Sequence, residues 1–82
     1  MTNEFKENVL ILHDDVLYYI EEGEDFCLSS EGYGFETEED WVLACDLISE
    51  RLMTGDGHKE LEGIFDYWWE EGVGYIEIIH QT

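Results

Sequence analysis

Three histidines and two cysteines are the residues of this 82-residue chain with the most obvious capacity for chemistry. Their spacing does not organise them. His13-Asp14-Asp15 and Asp56-Gly57-His58 fit no metal-ligand pattern, and His80 stands apart from both. Cys27 and Cys45 also lack a metal-like interval, and one of them falls on an apolar helical stripe, as expected of an unpaired thiol in a reducing compartment. Gly32-Tyr33-Gly34 lacks the further Gly and the Lys-Ser/Thr that a phosphate-cradling loop needs. Acidic pairs recur at Asp14-Asp15, Glu21-Glu22, Glu38-Glu39 and Glu70-Glu71. General acid and base work requires a cleft that separates two carboxyl pKa values, and so many alike pairs single out none. The residues therefore predict no enzyme, no cofactor and no metal.

What remains is charge. The chain has 22 Asp and Glu against three Lys and Arg, a formal net charge of -19. Disorder does not explain it, because 44% of the residues are hydrophobic, 15% are aromatic and proline is absent. Carboxylates about 6 Å apart repel by roughly 0.7 kcal/mol per pair in water, against a total domain stability of about 5 to 15 kcal/mol. A soluble domain of this size needs a net charge of only about 2 to 8 in magnitude. The excess opposes folding and points to a strongly basic partner, of which phosphate-gripping surfaces are the commonest. The sign argues against direct contact with nucleic acid or with an anionic membrane. The N-terminus has neither a basic start nor a long apolar run, so the chain is expected to stay in the cytoplasm.

The elements that must position these charges follow from periodicity. Phe5, Val9, Leu12, Val16 and Ile20 recur at steps of four and three, predicting a helix over about residues 3–22 that stops at Gly23. Thr37 is placed as the N-cap of a second helix carrying Trp41, Ala44, Cys45, Ile48 and Leu52, ended by Gly55. Leu61, Ile64, Phe65, Trp68 and Trp69 suggest a third helix closed by Gly72, although Gly63 disfavours it. Val73 to His80 reads as a strand, with Phe26-Cys27-Leu28 as its partner and residues 29–36 as a surface loop. The expected fold is one small α+β domain over residues 1–82, about three helices packed on a short sheet that includes the C-terminal strand. Were that pairing absent, the strand's bare edge would favour a homodimer.

On an ideal helix Glu4, Glu7, Asp14, Asp15, Glu21 and Glu22 lie opposite the first core stripe, with Ile11 and Tyr18 among them. Leu43 and Leu47 are similarly unassigned apolar residues on the second helix. Either both helices are buried on two sides, or these residues form a dimer seam or a partner-docking stripe set inside a negative rim, as at many interfaces. The partner-binding residues expected from this geometry are Asp14, Asp15, Tyr18, Glu21 and Glu22 on the first helix and Glu38, Glu39, Asp46 and Glu50 on the second. Glu62, Asp66 and Glu70, successive i,i+4 acids on the third, complete the set. Carboxylates one helical turn apart are about 5 to 6 Å from each other, close to the spacing of successive phosphates. Trp68 and Trp69 read as one core and one rim residue, since base-stacking proteins are basic and this chain is not.

In length, acidity and aromatic content the whole chain resembles the small acidic proteins with which bacteriophages disarm host defence. These include anti-restriction proteins, the uracil-DNA glycosylase inhibitor, anti-CRISPR proteins and the toxin-inhibition factors directed against an RNA-cleaving toxin. The resemblance implies a nucleic-acid mimic that inhibits a basic DNA- or RNA-binding host protein in the bacterial cytoplasm: a nuclease, a CRISPR complex, an RNase toxin or a repair enzyme. Tyr18-Tyr19 is similar to the Tyr pair of nuclease-colicin immunity proteins, which implies an alternative, a bacterial immunity or antitoxin protein bound to one cognate toxin. That family's Pro-containing loop has no counterpart here.

Overall fold

The computed structural model describes residues 2–54 and 63–80. Helix α1 spans Asn3–Glu22. Thr2 caps it, its Oγ1 accepting the Phe5 N–H at 3.1 Å. Gly23 ends it in the left-handed region at φ 74°, where its N–H reaches the carbonyls of Tyr19 and Ile20. Strand β1 follows at Phe26–Ser29. Helix α2 covers Glu38–Thr54 with Thr37 as its cap, Oγ1 accepting the Asp40 N–H at 3.2 Å. Glu38, Glu39 and Asp40 fill its first turn and Arg51 its last, the polarity that the helix dipole favours.

Strands β2, Gly63–Glu70, and β3, Val73–His80, form a hairpin. Together with β1 they build a three-stranded antiparallel sheet in the order β1-β3-β2. The expected third helix is thus a strand, and the helices among the described residues are two. Two physical reasons decide this. Ile64, Phe65, Tyr67, Trp68 and Trp69 all favour a pleated surface, and a four-residue interval satisfies the two-residue strand period as well as the helical one. Glu71 and Gly72, at φ 50° and 82°, then close a two-residue turn whose paired positive φ values suit a tight hairpin. Gly72 ends no helix; it turns the chain. Leu61, offered for the same helix, lies outside the described residues, as does Gly55, the expected stop of α2.

β1 pairs with β3 as expected, from Phe26 opposite Ile78 to Ser29 opposite Tyr75. β3 is therefore the central strand, paired along both sides, and the condition for dimerisation through its bare edge is not met. Alternate residues of β3 divide the sheet into two faces. Gly74, Ile76 and Ile78 point to the helices and are buried. The core they form takes in Leu12, Val16 and Ile20 from α1, and Trp41, Ala44, Cys45, Ile48 and Leu52 from α2. Tyr19 stacks on Phe26 with ring centroids 3.5 Å apart, fixing α1 over β1. Trp41 fixes α2 over the hairpin: its indole lies where a side chain on Gly74 would stand, and its Nε1–H donates to the Trp68 carbonyl at 3.1 Å.

The connection before α2 is more than a surface loop. Phe35 is buried within it, edge-on to Phe5 and Trp41 at 5.9 and 5.6 Å. Ser30 is also buried and clasps the start of β3, its N–H donating to the Gly74 carbonyl at 2.7 Å and its Oγ accepting the Gly74 N–H at 2.9 Å. No described helix is long and apolar enough to cross a membrane.

Candidate partner-binding surface

The candidate residues divide between two opposite sides of the molecule. On the helical side, Glu4, Glu7, Asp14, Glu21 and Glu22 are exposed along α1. Tyr18 and Ile11 stand exposed between them, at 57% and 54%. The acids come as Glu4 with Glu7, then Asp14, then Glu21 with Glu22, so apolar side chains punctuate the track. Seven residues of helix separate Glu7, Asp14 and Glu21 in turn, about 10 Å of axis, the rise of roughly three base steps. Asp14 also lies 3.7 Å from Nδ1 of the buried His13. Asp15 leaves the ridge: it is half-buried, and its Oδ2 accepts the Tyr33 hydroxyl at 2.6 Å. Burial, then this bond, raises the Tyr33 pKa, so the pair is a neutral phenol held by a carboxylate.

Helix α2 presents a second strip. Glu39, Leu43, Asp46 and Glu50 share its outer side, and all are exposed. Glu38, Glu39, Val42, Leu43 and Asp46 line one open groove. Asp46 is also a structural acceptor, because the Tyr67 hydroxyl of β2 donates to its Oδ1. That hydrogen bond is the main reason the Tyr67 pKa moves from 10.0 to about 12. Next to Asp46, Cys45 is fully buried, and desolvation pushes its thiol up to about 12, which leaves no thiolate for chemistry at neutral pH. Leu10 and Leu47 belong to an apolar notch between the helices, with Phe5, Lys6 and Val9.

Asp66 and Glu70 are not on a helix at all. They sit on the sheet face turned away from α1 and α2, with Trp68 between them. The i,i+4 helical ridge expected of Glu62, Asp66 and Glu70 is therefore replaced by two strand positions about 13 Å apart, and Glu62 lies outside the described residues. The register brings in residues that helix geometry does not suggest. Glu77 stands directly opposite Asp66, Tyr75 opposite Trp68, and Ile79 opposite Ile64. Alternation in Tyr75, Glu77 and Ile79 against Ile76 and Ile78 marks these as an outward set once the strand is recognised.

The Tyr18-Tyr19 pair splits in function. The two rings meet edge to face at 5.1 Å, but Tyr19 is committed to its stack on Phe26 while Tyr18 is exposed. Among the described residues no three His, Cys, Asp or Glu side chains converge as metal ligands would. Of the chain's three Lys and Arg, Lys6 and Arg51 lie among the described residues, Lys6 on the flank of the α1 ridge. No family model, curated protein or solved structure matches the chain.

Proposed function

We propose that this protein is a nucleic-acid mimic of the phage type, which binds and inhibits a basic DNA- or RNA-binding protein of bacterial host defence. The observation that carries the reading is the outer side of α1. Five exposed carboxylates run its length, Lys6 lies off to the side, and Tyr18 and Ile11 are available as anchors among them. These carboxylates offer a cationic groove a line of negative charge, at about one per three base steps between Glu7, Asp14 and Glu21 and denser at both ends, without a sugar or base to cut or edit. The exposed strip of Glu39, Asp46 and Glu50 on α2 adds to the anionic charge of the helical side.

Competition tests this reading. A basic host protein captured by the chain is to be titrated with its own nucleic acid in the presence and absence of the chain. The mimic predicts mutual exclusion, and an affinity that falls steeply between low salt and several hundred millimolar. A stable ternary complex sinks the mimic and favours the immunity alternative, in which the inhibitor binds beside the active site. An affinity indifferent to salt removes both the mimic and its electrostatic basis.

A further inference from the structure

The face of the sheet that α1 and α2 leave open has an order of its own. Across β2 and β3 it reads Ile64 with Ile79, then Asp66 with Glu77, then Trp68 with Tyr75, then Glu70 with Val73. A like-charged pair thus lies between an apolar pair and an aromatic pair. Carboxylates directly opposite one another destabilise a sheet. The aromatic pair is nearly parallel, with centroids 5.6 Å apart and 25° between planes. Ile64 is 52% exposed, and no described helix covers the face.

We propose that this face docks an arginine of the basic partner, its guanidinium lying against Trp68 and Tyr75 and donating to Asp66 and Glu77. The proposal rests on the reading of the chain as a ligand for a basic protein and adds a second contact surface, on the side of the molecule opposite the outer face of α1. Arginine fits both halves of the site at once. Its plane stacks on an aromatic face, and its fork of N–H groups meets paired carboxylates, whereas a lysine ammonium is a strongly hydrated point charge that matches only the second half. Asp66 is exposed and partly held in place, since its Oδ1 accepts the Tyr67 N–H at 2.9 Å. Charge excludes the other occupants. A nucleic-acid base could stack on the rings but would bring phosphates to the carboxylates, and a second copy would set Asp66, Glu77 and Glu70 against themselves.

The full chain is to be titrated at low salt with an arginine decapeptide and a lysine decapeptide, by calorimetry and by amide and indole NMR. Two double variants remove the same charge: Asp66→Asn with Glu77→Gln on the sheet, and Glu7→Gln with Glu21→Gln on α1. The sheet variant relieves repulsion, so it is expected to fold. The arginine peptide should bind at least about tenfold more tightly than the lysine peptide and shift the Trp68 indole signal. The sheet variant should lose about tenfold in that affinity and the helix variant less than about threefold. Equal affinities for the two peptides, equal losses in the two variants, or shifts confined to α1 overturn the sheet face while leaving the basic-partner reading intact. Absence of salt-sensitive binding to either peptide overturns both. A concentration-dependent dimer that Trp68→Ala abolishes also overturns the proposal, in favour of a second copy.

Discussion

At the scale of single residues, the acids of this protein are not equivalent. Asp15 and Asp46 each accept a tyrosine hydroxyl, from Tyr33 and Tyr67, and so tie the loop to α1 and the hairpin to α2. Asp14, Glu21 and Glu50 have exposed side chains on the outer sides of their helices. Sequence spacing treats all five alike, because helix geometry gives direction but not the identity of what lies opposite. The tyrosines supply a test. The Tyr67 pKa rises from 10.0 to about 12 in the folded state through its bond to Asp46, so the fold favours the protonated phenol. Its contribution is complete below pH 10.0 and is lost as pH climbs towards 12. Urea midpoints measured across that range should fall more steeply for the parent chain than for Tyr67→Phe, which also loses about 0.5 to 1.5 kcal/mol at neutral pH. Parallel curves for the two would show that the Tyr67 hydroxyl bond is not felt.

At the scale of elements, the two helices and the β1–β3 pair are legible in the sequence, and the β2–β3 hairpin is not. Phe5 to Ile20 and Trp41 to Leu52 repeat at 3.6 residues over several turns, with Thr37 and Gly23 marking ends, and a strand cannot satisfy such a repeat. The run from Ile64 to Trp69 is shorter and mostly aromatic, so both periods fit it. Only the β preference of its residues and the Glu71-Gly72 turn tip the balance. Phe35 escapes periodicity altogether, being a core residue delivered by a loop. The candidate site inherits the same pattern: the helical acids other than Asp15 are exposed on their helices, whereas Asp66 and Glu70 move to the opposite face and acquire Glu77, Tyr75 and Trp68 as company. The turn gives the element-scale prediction. Glu71 at φ 50° occupies a position that asparagine accepts more readily, so Glu71→Asn should raise stability by a few tenths of a kcal/mol to about 1 kcal/mol. Gly72→Ala, at φ 82°, should lower it by about 1 to 2 kcal/mol. Denaturant unfolding of the two variants would place the chain turn elsewhere if both changes were neutral.

At the scale of the whole molecule, the charge that recruits a partner and the charge that opposes folding are the same charge, and salt separates the two effects by sign. A formal charge of -19 leaves few opposite charges to offset repulsion within either acidic side. Raising sodium chloride from about 10 mM to about 1 M shortens the screening length from roughly 30 Å to roughly 3 Å, below the spacing of acids along α1. Repulsion within the folded chain then fades, while the attraction that brings a basic groove to it fades as well. The urea midpoint should therefore rise with salt, reporting a stability gain on the order of 1 kcal/mol if several pairs are screened together, each worth about 0.4 kcal/mol at about 10 Å, while partner affinity falls over the same range. Chloride is the salt to use, since sulfate strengthens apolar burial in any protein. The Glu7→Gln, Glu21→Gln variant supplies the control: with two fewer charges on the ridge, its midpoint should start higher at low salt and rise less. A midpoint that ignores chloride in both chains would mean that the carboxylates are held too far apart, or too well solvated, to repel. The track along α1 would then lack the charge density that substitution for a phosphate backbone requires.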